Sequence, residues 1–341
     1  MDQLQSPAGC SALGPGAYAA RLSAAGLPYP LPPVSLTPVY PYSDLAEFPY
    51  AKVITDTAPV YRHPLEALRG LPPMRRFERG FDYVSLLGQT TVADAPFFQI
   101  NPGEYMRAED LDEVRPSGFA GRHFAAPPGV PVGWVITRVQ PSAAPGQPPA
   151  SDAPFAGRYQ FFQVLGAQRV GDWNWYLIAP DQWVEQRNVG IVQPAPPGGA
   201  GGALIAVDTY EQTLGVYQNG ALIFATLVSS GSKYFPTRAG TFHVWARLSH
   251  GRMSGVFRDD RSDYYFLEDV PWILYYDGAR ALHGAYWRTY FGFPQSHGCV
   301  NLSVGDAHWL FDWAREGDWV YVHDPSGLTP TDPALYTGGA Y

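Results

Sequence analysis

The chain has 341 residues and a formal net charge of −8, with 23 Lys and Arg against 31 Asp and Glu. It contains no run of basic residues, so binding to nucleic acid or to an anionic membrane is unsupported. The 36 glycines, 34 prolines and 15% aromatic residues favour many short strands and turns over long helices. No apolar run approaches the ~18 residues of a membrane span, so no transmembrane segment is predicted. A chain of this length is expected to hold two or three domains.

Residues 1–45 are rich in Pro, Ala, Ser and Tyr. Because proline removes backbone donors and favours extended conformations, this stretch is predicted to be an arm or linker. Residues 1–30 lack the basic end and apolar core of a signal peptide. Cys10 is one of two cysteines, and a disulfide to the other, Cys299, is not needed to stabilise a fold of this size. We therefore interpret Cys10 as incidental.

A comparison of the chain with itself indicates an internal repeat. Residues 81–111 align without a gap on residues 159–189, at an offset of 78. Gly88 then falls on Gly166 and Asp94 on Asp172, so apolar and turn positions recur together. The pattern predicts two copies of one small β module, at residues 46–125 and 126–193. Short strands are expected in the first copy at residues 53–54, 60–61, 83–84, 97–100 and 105–106.

Residues 194–202, a run of prolines followed by glycines, mark the clearest boundary and are predicted to be a linker. Beyond it, Asn219-Gly220 is a strong signal for a two-residue hairpin turn. Residues 306–315 are the one persuasive helix of this region, and residues 324–341 are predicted to be a surface-laid or loose tail. Strands are predicted at residues 204–207, 213–217, 222–225, 241–246, 272–276, 281–283 and 319–322.

The most informative stretch is Ser-His-Gly-Cys-Val-Asn at residues 296–301, with the pair His283-Gly284 sixteen residues before Cys299. A thiol is a weak nucleophile until it loses its proton, so a cysteine with histidines near it is a candidate activated nucleophile. Two alternatives fit the same residues. A free cysteine is often a small buried hydrophobe, and two histidines with one cysteine can ligate zinc with a water as fourth ligand.

The residues at 283–284 and 296–301 resemble the signature of L,D-transpeptidases with a YkuD-type catalytic domain, which cross-link bacterial peptidoglycan. Residues 236–242 resemble the family's Pro-Thr-x-Gly-Thr-Phe stretch with one extra residue. The resemblance covers roughly residues 203–323, about a third of the chain. It implies a β-rich catalytic domain with one or two short helices, which needs no metal or other cofactor.

The resemblance also implies roles for individual residues. Cys299 is the nucleophile, and His283 is the general base, with the carbonyl of Gly284 orienting its ring. His297 shapes the loop and assists at the thiol. The backbone N–H groups of Gly298 and Cys299 are the expected oxyanion donors, since glycine allows a close approach to the developing charge.

Four further residues are candidates for contact with the donor stem peptide. Ser296 and Asn301 match the motif, and their side chains either pin the loop or touch the substrate. Tyr265 and Trp272 resemble the aromatic residues that cover the family's active site. Packing in the core is an equal alternative for both aromatics.

The two β modules resemble bacterial SH3-like barrels, so the whole chain is predicted to be mainly β. Glycan binding through Trp173, Trp175 and Trp183 is one hypothesis. The other is that these aromatic residues fill the core of a small barrel.

The implied function is that of an extracytoplasmic enzyme of the cell wall whose substrates are peptidoglycan stem peptides. Its export signal would then be absent from this chain. Four alternatives remain open: an L,D-carboxypeptidase on the same stems, a non-catalytic wall-binding protein, a cysteine peptidase and a zinc hydrolase.

Overall fold

The computed structural model describes residues 36, 46–78, 80–199, 201–256, 258, 260–330 and 332–336. Apart from residue 36, the predicted N-terminal arm at residues 1–45 lies outside this range, and so does Cys10. Within these residues, no helix is both long and apolar enough to cross a membrane. The structure is mainly β, as the composition predicted.

The chain divides into two compact units. Unit 1 contains Arg122–Gly202 and Gly215–Ala225. Unit 2 contains Ala203–Leu214 together with the described parts of Val39–Gly121 and Thr226–Tyr341. Most of the predicted first module therefore shares a unit with most of the predicted catalytic region, while the second module lies in unit 1.

In the described part of residues 46–114, the first module contains eight short strands, one short α-helix and one 3-10 helix. Its elements are β1 (Tyr50–Val53), β2 (Pro59–Val60), α1 (Pro64–Leu68), β3 (Arg75–Arg76), β4 (Phe81–Ser85), β5 (Gly88–Val92), β6 (Ala95–Asn101), β7 (Glu104–Arg107), a 3-10 helix (Ala108–Asp110) and β8 (Leu111–Val114).

The stretch that includes the second module has seven strands. They are β9 (Arg122–His123), β10 (Val132–Val135), β11 (Phe161–Gln163), β12 (Gly166–Val170), β13 (Trp173–Ala179), β14 (Gln182–Glu185) and β15 (Val189–Val192), with 3-10 helices at Gln186–Asn188 and Pro197–Gly199.

The C-terminal region contains most of the longer strands. Its elements are β16 (Ala203–Asp208), β17 (Thr213–Gln218), β18 (Ala221–Leu227), β19 (Gly240–His243), β20 (Ala246–Gly255), β21 (Tyr265–Asp277), β22 (Arg280–Gly284), β23 (Val300–Leu302), α2 (Val304–Trp313), β24 (Trp319–His323) and a 3-10 helix (Pro333–Tyr336).

The internal repeat is visible in the order of the elements. The succession from β5 to β8, including its 3-10 helix, recurs from β12 to β15 at the offset seen in the sequence. In both copies a three-stranded sheet forms, β5-β6-β7 in one and β12-β13-β14 in the other. Likewise, β1 pairs with β4 and β8, as β10 pairs with β11 and β15. Assignment of either copy to the SH3-like class remains a prediction.

In unit 2, the first copy is continuous with the sheet that carries the predicted catalytic residues. The sheet has the order β23-β22-β21-β4-β1-β8, with β20 also paired to β21. Strand β4 joins β21 in parallel, with Phe81 opposite Tyr265. The rings of Tyr50 and Tyr286 stack in the core beside this sheet, with their centroids 3.5 Å apart and their planes nearly parallel. Residues from module 1 thus pack against the chain that directly follows β22.

Helix α2 begins two residues before its predicted start. Ser303 caps its N-terminus by accepting the N–H of Asp306 over 3.2 Å. Trp309 and Trp313 stack on the helix with their rings 6.2 Å apart and are half-buried.

In unit 1, both Asn219 and Gly220 have positive φ, 53° and 81°, as a type I′ hairpin turn requires.

The tryptophans of the second module take part in packing contacts. Trp183 packs against Leu165 and Leu177, and the guanidinium of Arg187 lies 4.5 Å from the ring centroid of Trp173. Glycan binding by these side chains remains a prediction.

Candidate active site

Two parallel strands bring the predicted nucleophile and base together. In the register of β22 and β23, Leu282 lies opposite Val300 and His283 opposite Asn301. Cys299 directly precedes β23, and its Sγ lies 4.0 Å from the carbonyl oxygen of Ala279, just before β22. Because side chains alternate along a strand, residues 299, 301 and 283 belong to the same face of the sheet. The imidazole therefore lies on β22, and the thiol lies on the residue just before the neighbouring strand β23.

The imidazole of His283 is buried and held in one tautomer. Its Nδ1 lies 3.1 Å from the carbonyl oxygen of Gly284, so the ring donates from Nδ1 and keeps the lone pair on Nε2. Burial lowers the pKa of His283 to about 4, the Gly284 hydrogen bond opposes this shift, and the charge of Arg288 adds to it. At neutral pH the ring is therefore uncharged and able to accept a proton.

The thiol of Cys299 is half-buried. Burial raises its pKa, while a hydrogen bond from the Ala281 N–H and the charge of Arg280 lower it. Since the pKa of His283 is shifted in the opposite direction, the resting pair is a neutral thiol and a neutral imidazole. Such a pair needs proton transfer to the base during attack.

Two aromatic residues pack against His297, the second histidine of the motif. The ring of His297 stacks on Tyr265 at 5.1 Å between centroids and also lies 4.7 Å from Phe235. Burial lowers the pKa of His297. Burial also raises the pKa of the Tyr265 hydroxyl, and a negative charge on Cys299 would raise it further. A Cβ at Gly255, which pairs with Tyr265, would lie 2.7 Å from that ring, so glycine makes room for it.

The side chain of Ser296 fixes the conformation of residues 296–299, which we call the catalytic loop. Its Oγ accepts the N–H of Gly298 over 3.1 Å and donates to the carbonyl of Cys299 over 2.5 Å. The Gly298 N–H, which we expected to be an oxyanion donor, is therefore already bonded to a buried hydroxyl. For Ser296, the structure favours the loop-pinning alternative over contact with the substrate.

Backbone bonds attach the same loop to residues 229–231. The carbonyl of Ser230 accepts the N–H groups of Gln295 and Ser296 over 2.9 and 3.0 Å. Ser229 and Asn301 exchange two backbone hydrogen bonds of 2.9 Å each. Only 2% of the Asn301 surface is exposed, so this residue too is part of the loop's support.

Thr237 belongs to the Pro-Thr motif, and the motif by itself predicts no role for its side chain. Its buried hydroxyl accepts the N–H of Gly231 over 2.7 Å and donates to the carbonyl of Gly298 over 2.9 Å. A Cβ at Gly231 would lie 2.2 Å from the carbonyl oxygen of Phe235, so this close approach requires glycine.

Trp272 was expected either to contact the donor stem or to pack in the core. Its ring packs on helix α2, 4.1 Å from the ring of His308 and 5.5 Å from that of Phe311. These contacts favour the packing alternative over a role in holding the donor stem.

Sequence reasoning also missed a charged cluster beside the loop. Asp277 forms a two-pronged ion pair with Arg238 and a second pair, 3.3 Å long, with Arg280. Arg238 is distant in sequence from the other two residues, and no motif signals that they meet. Over the part of the chain that the structure describes, no group of three or more His, Cys, Asp or Glu is arranged to hold a metal ion.

Residues 202–322 match the family model of the L,D-transpeptidase catalytic domain, YkuD. This match agrees with the resemblance noted from the sequence.

Two curated relatives come from Mycobacterium tuberculosis. L,D-transpeptidase 1 is 28% identical over 172 residues, which are 45% of this chain and 66% of the relative. L,D-transpeptidase 2 is 31% identical over 136 residues, which are 37% of this chain and 32% of the relative. The chain thus spans less than two thirds of these relatives. Among solved structures, the catalytic domain of the E. faecium L,D-transpeptidase matches with 26% identity and a TM-score of 0.33, covering 37% of this chain and 100% of that one.

Proposed function

We propose that this protein is a peptidoglycan L,D-transpeptidase that acts through a cysteine thioester. The observation that carries the proposal is the neutral, Nδ1-tethered His283 on the strand beside Cys299, within a stretch that matches the YkuD family. A buried imidazole fixed in this tautomer suits a general base, and a neighbouring thiol suits the nucleophile it activates.

In the first half-reaction, Nε2 of His283 accepts the thiol proton as Sγ of Cys299 attacks the carbonyl of the L-centre residue of a tetrapeptide stem. The tetrahedral intermediate collapses, and the terminal D-amino acid leaves as its amine takes a proton from His283. A thioester between the stem and Cys299 remains. General-base assistance of this kind contributes ~10²–10⁴-fold to the rate.

The developing oxyanion needs hydrogen-bond donors near Cys299. Because Ser296 engages the Gly298 N–H, we assign this role to the N–H of Cys299 itself. Loss of one donor to an oxyanion typically costs ~10²–10³-fold in rate. His297 and Tyr265, stacked on each other, form the wall against which the donor stem would lie.

In the second half-reaction, an amine on a neighbouring stem attacks the thioester, and its lost proton returns to the thiol through His283. A cross-link between two stems results. If water takes the place of the amine, the product is a tripeptide stem and the enzyme is an L,D-carboxypeptidase. Because peptidoglycan lies outside the cytoplasm, the protein would act in the wall or periplasm.

The test is mass spectrometry of products after incubation with purified disaccharide-tetrapeptide, beside a Cys299→Ala control. We expect dimers that have lost one terminal D-residue, together with an acyl-enzyme adduct on Cys299, and neither product from the control. Tripeptide without dimer would instead identify the carboxypeptidase. Cleavage of an all-L peptide at equal rate would identify a cysteine peptidase, and no product from stems of several chemistries would overturn an enzymatic role.

A further inference from the structure

We propose that Arg280 is a positioning residue for Cys299, and that the segment following β24 holds Arg280 in place through Tyr336. The inference deepens the proposed function, since it takes Cys299 as the nucleophile. It gives a role in the active site to residues that lie beyond the family match, which ends at residue 322.

The guanidinium of Arg280 is fixed along two edges and faces the catalytic loop with the third. Its Nη1 contacts Asp277 over 3.3 Å, and its Nη2 donates to the carbonyl of Tyr336 over 3.0 Å. The remaining nitrogen, Nε, is buried and has no hydrogen-bond partner. A Cβ at Gly298 would lie only 3.0 Å from Nε, so the residue before Cys299 rests directly on this edge.

Gly298 allows this contact because of its conformation and its size. Its φ is +117°, which side chains of L-residues rarely adopt. Without a Cβ, the loop comes close to the cation while Thr237 and Ser296 hold its two backbone groups. The charge of Arg280 is therefore held at a fixed distance from the thiol.

The cluster of Arg238, Asp277 and Arg280 carries a net positive charge. Asp277 is shared by Arg238 and Arg280, so one carboxylate faces two guanidinium groups. An Arg side chain stays protonated at all accessible pH values, and a nearby positive charge favours the thiolate over the thiol. The direction of the effect agrees with the lowering of the Cys299 pKa by Arg280, which opposes burial.

Tyr336, which lies after the end of the family match, contacts Arg280 in two ways. Besides its carbonyl bond, its ring lies 5.1 Å from the guanidinium carbon of Arg280, and its hydroxyl donates to the carbonyl of Pro330 over 2.5 Å. Only 9% of the Tyr336 surface is exposed. Tyr336, in the tail that we expected to be surface-laid or loose, therefore packs on the residue that supports the loop.

The reactivity of the thiol toward a small alkylating agent reports on this arrangement without any peptidoglycan. In a full-length Cys10→Ser background, Cys299 is the only thiol, and its alkylation by iodoacetamide is measured against pH. The charged and titratable groups near Cys299 or Arg280 are Tyr265, Tyr275, Tyr276, Asp277, Arg280, His283, His297, Arg238 and Tyr336.

We expect Arg280→Gln to raise the apparent pKa of alkylation by about one unit, which is about a tenfold loss of rate at pH 7. Arg280→Lys keeps the charge and should recover most of the rate. Removal of residues 333–341 should shift the profile in the same direction by a smaller amount, and so should Tyr336→Ala. Arg315→Gln, an exposed arginine after α2, is the matched control and should leave the profile unchanged.

An unchanged profile in Arg280→Gln, with circular dichroism and thermal unfolding like those of the parent, would overturn the proposal. If that variant does not fold, Tyr336→Ala and the truncated chain decide in its place, and unchanged profiles in both would contradict it. A shift with Arg280→Gln alone would leave Arg280 in its role and overturn that of Tyr336. Since alkylation needs no stem peptide, a failed transpeptidase assay is distinguishable from failure of this inference.

Discussion

The hydroxyl of Thr237 donates to the carbonyl of Gly298 over 2.9 Å and so joins the Pro-Thr motif to the loop that carries the nucleophile. The same oxygen accepts the N–H of Gly231. One buried hydroxyl thus fixes two segments that lie far apart in the sequence, and the position of Cys299 depends on both.

Thr237→Val should destabilise the protein by ~1–3 kcal/mol, because it leaves the Gly231 N–H and the Gly298 carbonyl buried without their shared partner. The displaced loop should also slow acylation of Cys299. Urea unfolding and single-turnover acylation measure the two effects. Thr241→Val, at an exposed position in β19, is the control and should change stability by less than ~0.5 kcal/mol. Equal stability of the two variants would contradict the bridging role.

His283→Gln should reduce kcat/KM for the donor stem by ~10²–10⁴-fold, since the base is lost while the side chain keeps a similar size. His243→Gln provides a matched control, because His243 also bonds a carbonyl through Nδ1, that of Gly317 over 2.8 Å, but is exposed. The control should retain full activity. Similar losses in the two variants would exclude His283 as the base.

The acid limb of the pH profile should reflect the buried state of His283. Its pKa is lowered to about 4, so the ring stays neutral and able to accept a proton down to that pH. We therefore expect kcat/KM for acylation to be nearly constant from neutral pH down to about pH 5 and to fall near pH 4. Measurement over this range, with His283→Gln as reference, tests the point. A limb near pH 6.5 would instead indicate a solvated imidazole.

Glu268 should make the protein less stable as the pH rises through the weakly acid range. Burial raises its pKa from 4.5 to about 7, with hydrogen bonds from Asn101 and the Ser85 N–H opposing the shift. Between these values the folded state binds more protons than the unfolded state, so stability falls with rising pH by on the order of 2 kcal/mol. Glu268→Gln should remove this dependence and be the more stable protein at pH 7.5. The free energy of unfolding is measured in urea at pH 5 and pH 7.5. If the assignment is wrong, it will fall by the same amount in the parent protein and in Glu268→Gln.

Local patterns in the sequence predicted much of the fold. Several strands of residues 203–323, among them β16, β17 and β24, were found from short runs of apolar and β-branched residues, and Asn219-Gly220 from its turn chemistry. The strand expected at residues 241–246 is instead the end of β19 and the start of β20, and β23 was not predicted. The repeat emerged because both copies preserve the spacing of their turns, so its strands recur at the expected offset. The motif around Cys299 named the residues that the structure brings to two adjacent strands.

Hydrogen-bond partners within the site could not be obtained in this way. The Gly298 N–H was expected to be an oxyanion donor, yet the hydroxyl of Ser296 takes it. For Trp272 the sequence left substrate contact and core packing as equal alternatives, and the ring packs on helix α2. Both outcomes depend on rotamers and loop conformation, which residue identity does not specify.

The sequence by itself determined the motif residues of the site and the positions of many strands and turns. These properties depend on neighbours within a few positions. Only the tertiary structure decided that β4 extends the catalytic sheet through β21, and that Arg280 lies between Gly298 and Tyr336. Such contacts join residues separated by many turns of chain. They are set by strand register and by the burial of charged groups, and neither leaves a local pattern to find.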